Sequence, residues 1–213
     1  MLDIKSIFTT FLNLKTDTSI VDSFDSSIPL PLRLVFEIKA LYNQAKPNNL
    51  LFNTQDNLVN IDNLDLRNNP FTFLSENQGN WICQTELSND NPTVIYDNRC
   101  GEREIISDNI AGFLTTYALQ ELTFTLNNIS YLHWTIQVIR DIFVDLESIW
   151  TDKSYIYTGS KYSYYLLDNE VIFMNADSTT FFATNNLEKF KLIEEKINSH
   201  QHGFVASGAD GSN

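Results

Sequence analysis

Residues 71–96 organise the prediction of the fold. The segment reads Phe71-Thr72-Phe73-Leu74-Ser75-Glu76-Asn77-Gln78-Gly79-Asn80-Trp81-Ile82-Cys83-Gln84, then an acidic loop, then Asn91-Pro92-Thr93-Val94-Ile95-Tyr96. Two apolar, β-prone runs flank a polar stretch that contains glycine, and this pattern predicts consecutive strands joined by loops. Residues 76–79 are expected to turn the chain, with Gly79 free to take a positive φ. One sheet face should be filled by Phe71, Phe73, Ile82 and Val94.

Two helices are predicted before this segment. Apolar residues recur at helical spacing in 2–14, from Ile4 to Phe11. A second helix opens near 28–32, where proline is tolerated in the first turn, and ends near Pro47. The short apolar runs 50–52 and 58–61 are strand candidates.

After the central strands, 104–106 reads as a brief strand, and Ser107 is a candidate cap for a following helix. The expected buried stripe of that helix is Ile110, Phe113, Leu114 and Tyr117. Residues 130–150 show apolar side chains at alternating steps of four and three, which predicts an amphipathic helix covering a sheet.

The remaining chain predicts a β meander over 155–158, 162–167, 171–174 and 179–183, with a hairpin turn at Asp168-Asn169. Asn186 should cap a last helix whose inward residues are Leu187, Phe190, Ile193 and Ile197. The tail 200–213 is predicted to be disordered. This order of elements indicates an α+β fold with a mixed or largely antiparallel sheet flanked by helices, ending in the meander and final helix.

Composition restricts the partners. The chain has 213 residues, with 14 Lys and Arg against 27 Asp and Glu, a net charge of −13. Such a charge disfavours nucleic acid or an anionic membrane as a partner and favours a basic protein. Two cysteines do not make a disulfide framework, and Cys83 is expected to be buried. Without a signal peptide or an apolar span, the expected location is cytoplasmic.

Catalytic and metal-binding patterns are missing from the sequence. It contains no phosphate-binding glycine loop, no nucleophile elbow and no His-x-x-x-His pair, so neither a cofactor nor a metal is expected. His133 is expected on a helix surface, and the His200/His202 pair lacks further zinc ligands. Glu37-Ile38-Lys39 resembles a nuclease motif, but its helical setting makes coincidence the better interpretation.

The central segment resembles the SUKH superfamily, which includes bacterial immunity proteins and a yeast cell-wall regulatory scaffold. The resemblance covers roughly 28–120. It is carried by a short apolar run, Glu-Asn-Gln, a Trp strand and an acidic loop with a Pro before a Val strand. It implies one SUKH-like domain over 1–199, with a core at 28–120 and an extension at 121–199. The residues that match its pattern, for which we prefer a structural role, are Pro29, Glu76, Asn77, Gln78, Trp81 and Pro92.

The resemblance implies a non-enzymatic immunity protein that binds and neutralises a polymorphic toxin, such as a basic nuclease. The alternative is a regulatory scaffold for cell-wall or signalling proteins. A hydrolase would become plausible only if two or more carboxylates lined a well-formed pocket. Loop position and aromatic character suggest as partner contacts Asp62, Asp65, Glu86, Asp90, Tyr162 and Tyr164. Burial of the two tyrosines in the core is an equally open alternative.

Overall fold

The protein is an α+β chain, as predicted, with its strands in two antiparallel sheets. A computed structural model describes residues 4–14, 20–46, 51–52, 56–88, 91–155, 160–200 and 205–206, of which 152–155, 160 and 205–206 are described by their backbone alone. The chain divides into two compact units between Glu121 and Leu122.

The first unit begins with two helices, α1 (Ile4–Leu12) and α2 (Leu30–Ala45). Both were predicted. α1 buries Phe8 and Phe11, as its spacing requires. Pro29 stands at the N-cap of α2 in an extended conformation, and Pro31 occupies the first turn, where no intrahelical N–H bond is lost.

The first sheet has five strands in sequential order. They are β1 (Asp56–Leu58), β2 (Phe71–Glu76), β3 (Ile82–Thr85), β4 (Val94–Asp97) and β5 (Arg103–Ser107). The turn between β2 and β3 is the predicted one: the Gly79 N–H donates to the Glu76 carbonyl at 2.9 Å, and Gly79 has a φ of 76°. Glycine takes this left-handed conformation without a steric penalty.

The prediction of one apolar sheet face is wrong at a single position. Phe71, Phe73 and Val94 are buried in the core, as expected. Ile82, however, pairs with Ser75 and Asp97, whereas Phe71 pairs with Thr85. Because directly paired residues share a face and neighbours along a strand alternate, Ile82 lies on the face opposite Phe71. The register shift between Thr72 and Leu74 leaves this unchanged and places Leu74 opposite Cys83, on the Phe71 face.

The two strand candidates before β2 are also displaced. Leu51 and Phe52 lie in a turn, with a positive φ of 62° at Phe52, and both side chains are buried. The strand β1 begins at Asp56, earlier than predicted, and Ile61 starts a one-turn 3₁₀ helix, Ile61–Asn63. Here the apolar residues pack into the core from an irregular segment. Periodicity alone does not distinguish such a short apolar run from a strand.

Helix α3 (Ile110–Thr125) follows β5. Its predicted stripe is confirmed, since Ile110, Phe113, Leu114 and Tyr117 are all buried. The predicted cap is wrong by two residues. The Asn109 side-chain oxygen accepts from the Gly112 N–H at 2.7 Å, while the Ser107 hydroxyl donates to the Asn109 carbonyl. Asn109 is therefore the N-cap residue of α3, the role that was predicted for Ser107.

The long helix predicted over 130–150 is wrong. This stretch instead builds β6 (Asn128–Leu132), the short helix α4 (Ile136–Ile142) and β7 (Glu147–Tyr155). The apolar side chains that carried the helical period are buried nonetheless, among them Leu132, Ile139 and Phe143. Pairing of β6 with a later strand overrides the local period, because a sheet partner supplies backbone hydrogen bonds that the sequence pattern does not reveal.

The meander was predicted. Its strands are β7, β8 (Ser160–Leu167), β9 (Val171–Ala176) and β10 (Thr179–Thr184), although the predicted residues 156–158 lie outside the described ranges. The second sheet has the order β11-β6-β10-β9-β8-β7, where β11 is Val205–Ala206. The hairpin turn is confirmed by φ values of 53° and 55° at Asp168 and Asn169.

The last helix is α5 (Leu187–Ser199), and the Asn186 side chain caps it as predicted by accepting from the Lys189 N–H at 3.1 Å. Ile193 and Ile197 are buried, but Leu187 is 51% exposed, so its inward position was wrong. Part of the tail is ordered, since β11 pairs with β6. The rest of the predicted disordered tail, 201–204 and 207–213, lies outside the described part of the chain.

Aromatic rings form the core of the second unit. Phe173 lies between Phe143 and Phe182, with ring centroids 5.6 and 5.9 Å away, and Phe182 stacks on Phe190 of α5 at 5.2 Å. Such pairs add about 0.5–1.5 kcal/mol each beyond the area they bury. The ring of Phe190 thus fixes α5 against the second sheet.

Candidate binding surface on the first sheet

The open face of the first sheet carries two rows of directly paired residues. One row runs across four strands as Thr72, Gln84, Ile95 and Ile105. The second row is Ser75, Ile82, Asp97 and Arg103. The opposite face carries the buried pairs Phe71–Thr85 and Leu74–Cys83. This face therefore carries polar, charged and aliphatic groups together, although Ile82 on it is buried.

Strand β5 forms one edge of this sheet, with β4 as its neighbour among the described strands. Ile105 is 63% exposed at this edge and shares its face of the strand with the exposed Arg103, whereas the exposed Glu104 points to the other face. An exposed isoleucine amid charges is a suitable apolar contact for another protein. The sequence showed this strand but not its position at an edge, so Ile105 was missed as a candidate contact.

A polar groove with a volume of about 540 Å³ borders the open face. Thr72, Gln84, Asp97 and Arg103 line it from the strands, and Arg99 lines it from the β4–β5 turn. The other wall comes from the segment 59–70, including Asn63, Asp65, Asn68, Asn69 and Pro70. The groove thus joins residues more than thirty positions apart in the chain.

The segment 59–70 is held in shape by Asp65. Its carboxylate accepts from Arg67 Nε at 2.8 Å, from Arg67 Nη2 at 3.1 Å and from Asn68 Nδ2 at 2.9 Å. The hydrogen bond from the Arg67 side chain, with that cation's charge, holds the pKa of Asp65 below its ordinary value. Asp65 therefore organises its own loop, whereas Asp62 in the same loop is exposed.

Two arginines reach the groove from the other side. Arg99 Nη1 donates to the Gly79 carbonyl at 3.2 Å, and the Arg99 backbone N–H donates to the Asp97 carboxylate at 2.7 Å. Arg103 Nη2 donates to Gln84 Oε1 at 3.0 Å. The guanidinium groups are thus tied to neutral oxygens of the strands and the β2–β3 turn.

Several residues that carry the family resemblance hold the backbone around this sheet through hydrogen bonds and ring packing. The Glu76 carboxylate accepts from the Asn80 N–H at 2.9 Å, and the Trp81 ring packs 5.9 Å from that of Tyr96. Asn77 and Gln78 are exposed in the turn. The Pro92 carbonyl accepts from the Ile110 N–H at 2.7 Å, which joins the segment before β4 to the start of α3.

The predicted partner contacts fall into separate places. Asp62, Asp65 and Glu86 are exposed in the first unit, and the Leu87 N–H next to Glu86 donates to Asn69 Oδ1 at 3.0 Å. Asp90 lies outside the described residues. In the second unit Tyr162 is half-buried and Tyr164 is fully buried. Tyr164 therefore belongs to the core and not to an exposed patch.

Ionisable groups that no sequence pattern had indicated are also buried within the first unit. Lys39 Nζ donates to the Leu58 carbonyl at 2.8 Å, and the Tyr117 hydroxyl donates to the Phe52 and Asp56 carbonyls at 3.1 and 3.3 Å. Burial, followed by the nearby Glu121 and Glu76 charges, raises the pKa of Asp56 to about 7. Burial lowers the pKa of Lys39, against the opposing charge of Glu121.

The nuclease-like triplet lies inside α2, as expected, and all three of its residues are buried. Glu37 accepts from the Ile20 N–H at 2.8 Å and pairs with Lys5 at 3.0 Å. It therefore joins the N-terminal segment to α2, which is a structural role.

Two carboxylates, Asp65 and Asp97, line the groove, which meets the condition set for a hydrolase. A general acid needs a raised pKa, whereas the pKa of Asp65 is lowered by Arg67. Asp65 is therefore ionised at neutral pH and is unsuited to donate a proton. Within the described ranges, no three His, Cys, Asp or Glu side chains are grouped so that they could hold a metal ion.

No described helix is long and apolar enough to cross a membrane. Cys83 is buried, as predicted, and neither it nor the exposed Cys100 forms a disulfide within the described residues. Comparison with known proteins finds no matching family model, no matching curated protein and no matching solved structure.

Proposed function

We propose that this chain is a non-enzymatic binding protein that captures a basic protein partner through the first sheet. By the resemblance to SUKH immunity proteins, the partner would be a toxin domain that the chain neutralises stoichiometrically. The observation that carries the proposal is the exposed edge strand β5. There Ile105 is 63% exposed, with the exposed Arg103 on its own face of the strand and the exposed Glu104 on the other, in a chain of net charge −13.

The charge supports a basic partner. An acidic surface speeds encounter with a basic one and repels like-charged competitors. Ile105 offers an apolar anchor, and the first unit also exposes the carboxylates of Glu102, Glu104, Asp62 and Glu86. An apolar centre within a polar, solvent-accessible surface is typical of transient protein interfaces.

The test begins with purification of the tagged chain from its native host and mass spectrometry of proteins that co-purify in equal amount. The proposal predicts a basic domain whose toxicity on expression is suppressed when this chain is co-expressed. Recovery of a cell-wall or signalling protein instead would favour the regulatory scaffold and contradict the toxin assignment.

A pair of matched variants tests the location of the interface. Ile105→Lys should weaken binding to the co-purified protein by roughly tenfold or more, because it places a cation at the proposed contact. Leu192→Lys is the control, since Leu192 is 60% exposed on α5 of the second unit, and it should leave binding unchanged. Equal affinities for both variants and the wild type would exclude β5 from the interface.

A further inference from the structure

The two arginines of the groove carry a second inference. In the part of the chain that the structure describes, neither Arg99 nor Arg103 forms an ion pair, although both line the same groove. Arg67, by contrast, pairs with Asp65, which lines the groove. Two cations that form no ion pair therefore share this concave site with the carboxylates of Asp65 and Asp97.

Each guanidinium has donors left for a ligand. A guanidinium carries five N–H groups in a planar fork. One N–H of Arg99 goes to the Gly79 carbonyl and one of Arg103 to Gln84 Oε1. These bonds hold the side chains in place without neutralising them. A planar fork with free N–H groups matches the oxygens of a phosphate group.

The rest of the lining indicates what would be attached to the phosphate. Amides of Asn63, Asn68 and Asn69 and the hydroxyl of Thr72 offer both donors and acceptors, and the Asp65 and Asp97 carboxylates offer acceptors. Among the lining residues only Val59 and Pro70 are apolar, and none is aromatic. This lining suits hydroxyl groups and offers no ring on which a base could stack.

We propose that the groove binds a small hydroxyl-rich molecule through its phosphate group, with Arg99 and Arg103 holding the phosphate. The volume of about 540 Å³ lies within the roughly 300–1,000 Å³ of small-molecule sites. The proposal is independent of the protein partner, because the groove residues that bind the ligand are complete within the free chain.

The test is isothermal titration of the free, full-length chain with glucose 6-phosphate, inorganic phosphate and glucose as probes. Glucose 6-phosphate should bind saturably at one site per chain and more tightly than either other probe. Arg103→Gln and Arg99→Gln should each weaken it by roughly tenfold or more, since each removes charge-assisted hydrogen bonds. The control Arg140→Gln, altering a cation on α4 of the second unit over the Tyr165 ring, should bind as the wild type does.

Three results would overturn the proposal. Absence of saturable binding at millimolar glucose 6-phosphate would remove the site. Equal affinity for inorganic phosphate would refute the role of the hydroxyl groups. Unchanged affinity in both groove variants would place the ligand elsewhere. Arg103→Lys, which keeps the charge but loses the fork, guards against misfolding of the glutamine variants and should bind with intermediate affinity.

Discussion

Replacement of Asp56 by Asn should stabilise the protein at neutral pH. Asp56 is 9% exposed in β1, and burial next to the Glu121 and Glu76 charges raises its pKa from the ordinary 3.8 to about 7. Ionising this carboxyl inside the fold is therefore unfavourable. Asparagine has nearly the same shape and cannot ionise, so the substitution removes the cost of burying the charge.

The magnitude follows from the pKa. At about 1.4 kcal/mol for each tenfold change in proton affinity, the rise to about 7 corresponds to about 4 kcal/mol. Because solvent reaches the carboxyl in part and screens its neighbours, we expect roughly half of this, about 2 kcal/mol.

The sign depends on which state binds more protons. Between pH 4 and about pH 7 the folded protein keeps the proton on Asp56 that the unfolded chain has released. Stability of the wild type therefore falls as the pH rises through this window, and the loss is constant above it. The advantage of Asp56→Asn should be close to zero near pH 4 and should reach its full value near pH 8.

Urea unfolding followed by circular dichroism between pH 4.5 and 8.0 measures this difference. The control is Asp62→Asn, an equal change of charge at an exposed position in the same unit, for which we expect less than about 0.5 kcal/mol at every pH. A stability difference between Asp56→Asn and wild type that does not grow with pH would refute the reasoning.

Two further substitutions test the packing of each unit. Tyr117→Phe removes the hydroxyl that donates to the Phe52 and Asp56 carbonyls, and should lower the free energy of unfolding by about 1–3 kcal/mol in urea titrations; an unchanged midpoint would show that these bonds contribute nothing net. Asn186→Ala removes the α5 cap and should cost about 1 kcal/mol, whereas Asn186→Ser should restore most of it. Equal stability of the alanine and serine variants would contradict the capping role.

Features governed by local chemistry could be predicted from the sequence. Gly79 and the Asp168-Asn169 pair take the left-handed conformations that their turns require, and Asn186 caps α5 through its own side chain. Each depends on only a few neighbouring residues, so its signal is contained in a short stretch of sequence.

Features governed by pairing between distant strands could not be predicted. The apolar residues that gave 130–150 its helical period are buried, as that period predicted. The pairing of β6 with β10 nevertheless makes part of this stretch a strand. The pairing of Phe71 with Thr85 places Ile82 on the other face of the sheet. Arg103 and Asp65 line the same groove because the turns between them bring distant segments of the chain together. No pattern within a single sequence encodes such a contact.

The most direct measurement of the central claim is the dissociation constant of the wild-type chain and its co-purified protein at 50 and 300 mM NaCl. A net charge of −13 against a basic surface predicts that affinity falls on the order of tenfold across this range, mainly through a slower association rate. An affinity that stays the same at both salt concentrations would contradict the proposal that charge complementarity selects the partner.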